Sequence, residues 1–392
     1  MVGLEIHATI DVRGGPATAP LQPGSRSVST QALPSRGVPI QRLLSLGLLV
    51  CLPLTLAAET LGWGDGAVFL CSALAIVPLA IWLSTATEKI AVVLGPAIGA
   101  LLNAVFGNAT ELIIALVALK AGLVDIVKAS ITGTIVSNLL LAMGLSMLAG
   151  GIGRQEQTFA PVVARVNGSA MTLAVLAILL PTLAISTASA DPPSELGFST
   201  FVAWVLLAVY GLTVLFSLYT HRSLYAVALV DEEDEGGARP SLWLWGSVLI
   251  AATLGVAYAS EVFVGVIETV TEGFGLSALF TGVVLLPLLG GAAEYVTAVS
   301  MARKNKMDLS VSVAMGSTLL VALLVAPLLV LLGPLLGHPF DLGFNLFELV
   351  AVIMAVLMSN LITLDGRSDW LEGVLLLAIY LILGAGFYFQ TS

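Results

Sequence analysis

Charge is what this chain lacks. Of its 392 residues, 10% are Asp, Glu, Lys or Arg, while 58% are hydrophobic. A soluble domain carries roughly a quarter charged residues. The shortage leaves no room for a water-soluble domain, and with it excludes a soluble enzyme or a nucleic-acid-binding module. Cysteine is nearly absent as well: Cys51 and Cys71 are the only two. They lie in adjacent apolar segments, read as small core residues, and make no disulfide framework. Histidine is as scarce, and His7, His221 and His338 all fall in loops or in the N-terminal tail. The formal net charge of −10 comes largely from one run, Asp231-Glu232-Glu233-Asp234-Glu235, and is not a global property.

Long apolar runs are what the chain has instead. Each is about 20 residues, enough to cross a bilayer as a helix. About eleven are predicted, near 40–60, 66–84, 93–119, 125–149, 163–187, 197–219, 242–264, 277–301, 309–333, 344–364 and 370–389. The expected fold is therefore an all-α integral membrane protein. Residues 1–39 are rich in Pro, Gly, Ser and Ala with no apolar period, and read as a disordered cytosolic tail or, alternatively, a cleaved targeting peptide. Arg and Lys cluster before the first run and in alternate loops, with Lys120 and Lys128 as exceptions, while 188–196 and 334–343 carry none. By the positive-inside rule the N-terminus is cytosolic and the C-terminus lies on the far side, in a plasma, inner or organelle membrane.

Two of the few charges sit where they cost most. Glu111 ends the stretch Gly107-Asn108-Ala109-Thr110-Glu111, and Glu294 ends Gly290-Gly291-Ala292-Ala293-Glu294. Both lie in the middle of apolar runs, separated by 183 residues, and the same offset carries Asp125 onto Asp308 and Gly133 onto Gly316. An ionisable group in hydrocarbon is a functional-site candidate by default, and a matched pair points to two repeats sharing one midplane site. The acidic run, within a cytosolic linker at 221–240, splits the membrane part. One extra helix at 40–60 precedes a first repeat at 61–220, and a second repeat fills 241–392. Each repeat holds five spans, an odd number, so the second enters the membrane from the opposite face.

Each carboxylate is nine positions from a basic residue, Lys120 or Arg303, so it lies roughly 13 Å from a charged helix end and near the middle of the bilayer. The glycines at 107, 290 and 291 would let helices break and turn carbonyls toward the site. The following segments add Thr132-Gly133-Thr134 with Ser137-Asn138, and Gly316-Ser317-Thr318. Carboxylates at Glu111 and Glu294, with Asn108, Asn138, Gly133, Ser137 and Ser317 around them, make an oxygen-rich site for a hard cation such as Ca²⁺. Soft metals are disfavoured, since no thiol or imidazole is near. Two facing carboxylates need neutralising, and one Ca²⁺ or two protons would each do so. That makes an exchanger by electrostatics, with Ca²⁺ and H⁺ as substrates and no cofactor. Asn138, Ser317 and Thr318 could instead pack helices together. Glu348, early in the tenth run, is either an accessory acid in the cation or proton path or a snorkelling interfacial acid. The acidic run is a solvated linker or a cation-attracting segment.

The stretch GNATELIIALVALK, followed by Ser137-Asn138-Leu139-Leu140-Leu141, closely resembles the first repeat of the calcium/proton exchangers, of the calcium/cation antiporter superfamily. The stretch from Gly290 to Ser317, GGAAEYVTAVSMARKNKMDLSVSVAMGS, resembles their second repeat, and Asp365 to Gly373 is similar to their ending. The resemblance covers roughly residues 60–389 and implies two inverted five-helix repeats, with Glu111 and Glu294 exchanging a cation for protons. The second repeat departs from the family pattern. Gly291 stands where Asn is usual, Tyr295 where His is usual, and Leu319-Leu320 where a Thr-Gln pair is usual. Three polar groups are missing on that wall. The expectation is a Ca²⁺/H⁺ antiporter; the alternatives are an exchanger of Na⁺, K⁺, Mn²⁺ or Mg²⁺ on the same fold, or a non-transporting membrane protein with a degenerate second half.

Overall fold

Hydrocarbon offers no partner to backbone N–H and C=O groups, so a chain this apolar has to satisfy them within each segment. A computed structural model shows that it does so with helices. The structure describes residues 49–95, 98, 99, 102, 105–187, 192–221 and 240–390. The tail expected at 1–39, most of the first apolar run and the acidic run 231–235 lie outside the described residues. The helices are α1 (Cys51–Leu61), α2 (Asp65–Leu94), α3 (Ala109–Lys120), α4 (Val124–Gly151), α5 (Pro161–Thr187) and α6 (Pro192–Leu215). After the linker come α7 (Leu242–Gly273), α8 (Ala278–Gly290), α9 (Ala292–Arg303), α10 (Met307–Leu336), α11 (Leu346–Ile362) and α12 (Trp370–Phe389). One two-residue antiparallel ladder pairs β1 (Gln157–Thr158) with β2 (Arg367–Ser368).

Seven of these helices are long and apolar enough to cross a membrane, or eight if the bent pair α8–α9 counts as one. The sequence predicted about eleven. The two counts cover different residues, since the runs at 40–60 and 93–119 lie partly outside the described residues. Helices α1 and α11 are apolar but only 11 and 17 residues long. The run at 93–119 does not form one straight helix, because α3 starts only at Ala109 and spans 12 residues. Twelve residues rise roughly 18 Å, well short of a core of about 30 Å.

Helix α4 forms the centre. Its membrane window is 83% buried, against 11% for the span ending α6 and 17% for α12, which face outward. Small residues permit this. A Cβ on Gly133 would run into the Val283 carbonyl oxygen of α8, and one on Gly373 of α12 would lie 2.7 Å from the Gly144 carbonyl oxygen. Backbones approach closely only where side chains are this small.

The 183-residue offset of the motifs recurs in the helices. It separates the starts of α3 and α9, at 109 and 292, and of α4 and α10, at 124 and 307. Gly122 (φ 86°) and Asn305 (φ 63°) take the same left-handed turn between each pair; Asn is among the few residues that tolerate it. A π-helical turn interrupts α4 at Ser137–Ala142 and α10 at Val321–Val325. Such turns recur at functional sites, because they re-aim side chains.

The α9–α10 turn is tied down by side chain–backbone hydrogen bonds and one between Gln157 and Asn305. Gln157 Nε2 donates to the Ala302 carbonyl and to Asn305 Oδ1, both at 2.9 Å. The Ala160 amide donates to Asp308. The α3–α4 turn uses an ion pair instead. Lys128 donates to Asp341 Oδ1 at 2.9 Å and to the Gly343 carbonyl at 2.7 Å, which gives this exception to the loop-charge pattern a partner.

Candidate cation site

Glu111 and Glu294 hold the same place in their helices: each is in the first turn, of α3 and α9 respectively. A helix N-terminus carries partial positive charge, so it is a favourable place for a carboxylate. Helices α8 and α9 bend by 60° at a break of one residue, Gly291, and Glu294 follows directly. The break was expected from the glycines. The Glu111 side chain packs against the other half's break, since a Cβ on Gly290 would lie 3.0 Å from Glu111 Cγ. The two carboxylates are close enough to repel one another.

Neutral oxygens surround them. Asn108, which precedes α3, donates its amide to Ser317 Oγ at 2.5 Å. Asn138, in the π turn of α4, donates to the same oxygen at 2.9 Å. One hydroxyl of the second half thus holds both amides of the first half by their N–H groups. Asn138 Oδ1, both oxygens of Glu111 and Glu294 Oε2 are buried and have no hydrogen-bond partner among the described residues. Buried polar atoms are nearly always paired. Four orphaned acceptors, with the amide donors turned toward Ser317, form a set that fits a cation or protons. No cluster of three or more His, Cys, Asp or Glu exists among the described residues, so any cation held here takes two carboxylates plus neutral oxygens.

The other expected residues divide. Ser137 is fully buried beside Tyr295, whose hydroxyl lies 2.7 Å from Ser137 Oγ and 2.9 Å from the Pro287 carbonyl oxygen. Gly107 lies in the turn before α3, half-buried. Gly133 serves the α4–α8 crossing, and a Cβ on Gly316 would meet nothing within 4 Å. Glu348 stands in a different group. It is the N3 residue of α11, where its Oε2 accepts from the Asn345 amide at 2.8 Å in a capping box. Asp125, Lys128 and Thr132 are its neighbours, and its Oε1 is buried with no partner among the described residues. Leu319 and Leu320 are buried.

Sequence reasoning missed Tyr295, which counted there as a lost polar group. Its hydroxyl instead puts a polar contact between the halves. A Cβ on Gly291 would lie 2.7 Å from Tyr295 Cζ and from its hydroxyl. Gly291 and Tyr295 are one helical turn apart, and the ring fills the volume a side chain at 291 would take. That spacing was the available signal.

The profile of the sodium/calcium exchanger protein family matches residues 36–219 and 244–389. The chain belongs to this family. Its two matched blocks flank the acidic run, one per half. The chain is 52% identical over 357 residues to a "Ca(2+)/H(+) antiporter" of Aphanothece halophytica, covering 88% of this chain and 96% of that protein. It is 40% identical over 343 residues to the "Ca(2+)/H(+) antiporter ChaA" of Bacillus subtilis, with 86% and 96% covered. Among solved structures, native YfkE superposes with a TM-score of 0.77 at 36% identity, covering 88% of this chain and all of that one. An H⁺/Ca²⁺ exchanger, CAX, superposes at 0.63 with 16% identity, which speaks to the fold alone. As a member of this family, the chain is a multi-pass membrane antiporter and not an enzyme.

Proposed function

We propose that this protein exchanges Ca²⁺ for protons across its membrane through one midplane site built around Glu111 and Glu294. The observation that carries the reading is the set of buried carboxylate oxygens, both of Glu111 and Oε2 of Glu294, without hydrogen-bond partners among the described residues. An unpaired buried carboxylate costs several kcal/mol. A site that tolerates two of them has to be neutralised by something that comes and goes. One Ca²⁺ or two protons meet that need, and each neutral form can pass the alternating-access step. Ca²⁺ accepts roughly six to eight oxygens in flexible geometry. Glu111, Glu294 and Asn138 supply the orphaned acceptors, and Asn108 lies beside them on Ser317. The relatives whose names state Ca²⁺/H⁺ antiport support the choice of ions.

In this reading the two halves, 61–220 and 241–392, are inverted repeats, and each contributes a broken helix carrying one glutamate. The N-terminus is cytosolic, and the proton gradient drives Ca²⁺ out of the cytosol. Glu348 acts as an accessory acid between the aqueous phase and α4, since it neighbours Thr132 one turn from Ser137.

The test uses purified protein in liposomes. An imposed pH gradient drives ⁴⁵Ca²⁺ uptake, with Na⁺, K⁺, Mn²⁺ and Mg²⁺ as competitors. Ca²⁺ uptake that collapses the gradient, and that is lost in Glu111→Gln and Glu294→Gln, is the expected result. Full exchange by either variant overturns the central site, and gradient collapse by another cation but not by Ca²⁺ overturns the choice of ion.

A further inference from the structure

Tyr295 joins the α8–α9 bend to the first half through one hydroxyl. It follows Glu294 in α9 and is 8% exposed. Its hydroxyl is 2.9 Å from the Pro287 carbonyl oxygen, on the far side of the 60° bend, and 2.7 Å from Ser137 Oγ in the π turn of α4. One side chain therefore ties α9 to α8 and both to the first half. The Pro287 carbonyl also accepts from the Gly291 amide at 2.9 Å, so the phenol caps the bend itself.

The ring has a second neighbour. A cavity of about 530 Å³ is lined by Leu145, Val296, Val299, Ser300, Arg303, Lys304 and Tyr295. It follows α9 from its basic C-terminal end to Tyr295, a rise of roughly 12 Å. Tyr295 is the lining residue next to Glu294 in sequence, and its hydroxyl is the group that reaches across to the first half. The ring fits there because residue 291 has no side chain.

We propose that Tyr295 is a positioning residue for exchange: its hydroxyl pins the α8–α9 bend against α4, and Gly291 is the space that lets its ring sit there. The pin holds the site together while the cation is bound and has to release when the halves rearrange. The proposal rests on the central-site reading, since it assigns the pin the task of holding Glu294 in register with Glu111.

Tyr295→Phe keeps the ring and removes the pin. In Ca²⁺/H⁺ exchange by proteoliposomes it should raise the KM for Ca²⁺ about fivefold, the effect of one net hydrogen bond, without lowering the maximal rate. A defect of packing would lower rate and melting temperature together, and that outcome overturns the proposal. So does an unchanged KM. The second arm tests the space. Gly291→Ala should impair exchange when Tyr295 is present and be far less harmful combined with Tyr295→His, whose ring is shorter, which is coupling in a double-mutant cycle. Additive effects overturn the link between Gly291 and the ring. Glu111→Gln runs alongside. If it is inactive while Tyr295→Phe changes nothing, the pin fails and the central site stands. If it remains active while Tyr295→Phe raises KM, the central site fails and the pin stands as an affinity residue of its own.

Discussion

The two halves use one scaffold for different chemistry. In the first, Asn108 and Asn138 present amides that meet the second half at Ser317; in the second, Ser317 and Tyr295 present hydroxyls that meet the first half. Helix starts and left-handed turns repeat at the same spacing and the π turns to within one residue, yet the polar side chains do not. The hydroxyls take up the donors of the first half: Ser317 Oγ receives both amide N–H groups. What remains unpartnered is acceptor oxygen. Both halves leave carboxylate oxygen unpartnered, while the amides come from the first half and the hydroxyl that receives them from the second.

The largest expected effect breaks what the halves share. Glu111→Gln or Glu294→Gln should each reduce exchange more than 100-fold, because one charge cannot balance a divalent cation. Either variant should melt no lower than the parent without Ca²⁺, since removing an uncompensated buried charge relieves a cost. Exchange rate and melting temperature, measured on the same preparations, check both statements. A large loss of melting temperature in either variant would mean that the glutamates hold the fold.

The next effect tests what differs. Ser317→Ala releases both amides at once and should weaken Ca²⁺ affinity about tenfold, the effect of losing two hydrogen bonds of modest net strength. Asn108→Ala should also weaken it, by less, because Asn138 remains held. Apparent affinities from a flux series decide this, and equal affinity in the parent and Ser317→Ala would show that the amides orient themselves. Restoring an amide to the second half is a sharper probe. Gly291→Asn alone should fail, as any side chain at 291 meets the Tyr295 ring at 2.7 Å. Gly291→Asn with Tyr295→His should recover exchange, measured as Ca²⁺-driven collapse of the pH gradient.

These residues also mark how much was legible in the sequence. Glu111 and Glu294 stood out because two acids at a matched offset recur in apolar runs, and the helix break could be read because glycine sits where α8 ends. Helix existence followed from apolar length. The break before Ala109 was less legible, because composition cannot tell a straight helix from an interrupted one. Gly133 looked like part of a polar patch, and the close α4–α8 crossing it permits could not be read from the sequence. Tyr295 was invisible as a polar contact, since its partner Ser137 is 158 residues away. A tyrosine in an apolar helix reads as core until its hydroxyl is placed.

The smallest expected effect concerns the turns beside the two glutamate helices. The α9–α10 turn is held by amides and backbone, while the α3–α4 turn is held by the Lys128–Asp341 pair, whose side chains are 15% and 32% exposed. Moved by 183 residues, Lys128 falls on Val311 and Asp341 on Thr158, so the second turn has no counterpart of the pair. Partly buried pairs are screened less than surface ones but still pay for desolvation, so the net gain is about 1 kcal/mol. Lys128→Met should therefore lower the melting temperature by only a few degrees. Asp341→Asn should do about the same, and the double variant should be no worse than either single one, because both remove one interaction. Gln157→Ala, on the other turn, should add independently to Lys128→Met. Were the Lys128 and Asp341 effects to add instead, the pair would contribute nothing as a pair, and the Gly343 carbonyl, which also accepts from Lys128 at 2.7 Å, would be what holds the turn.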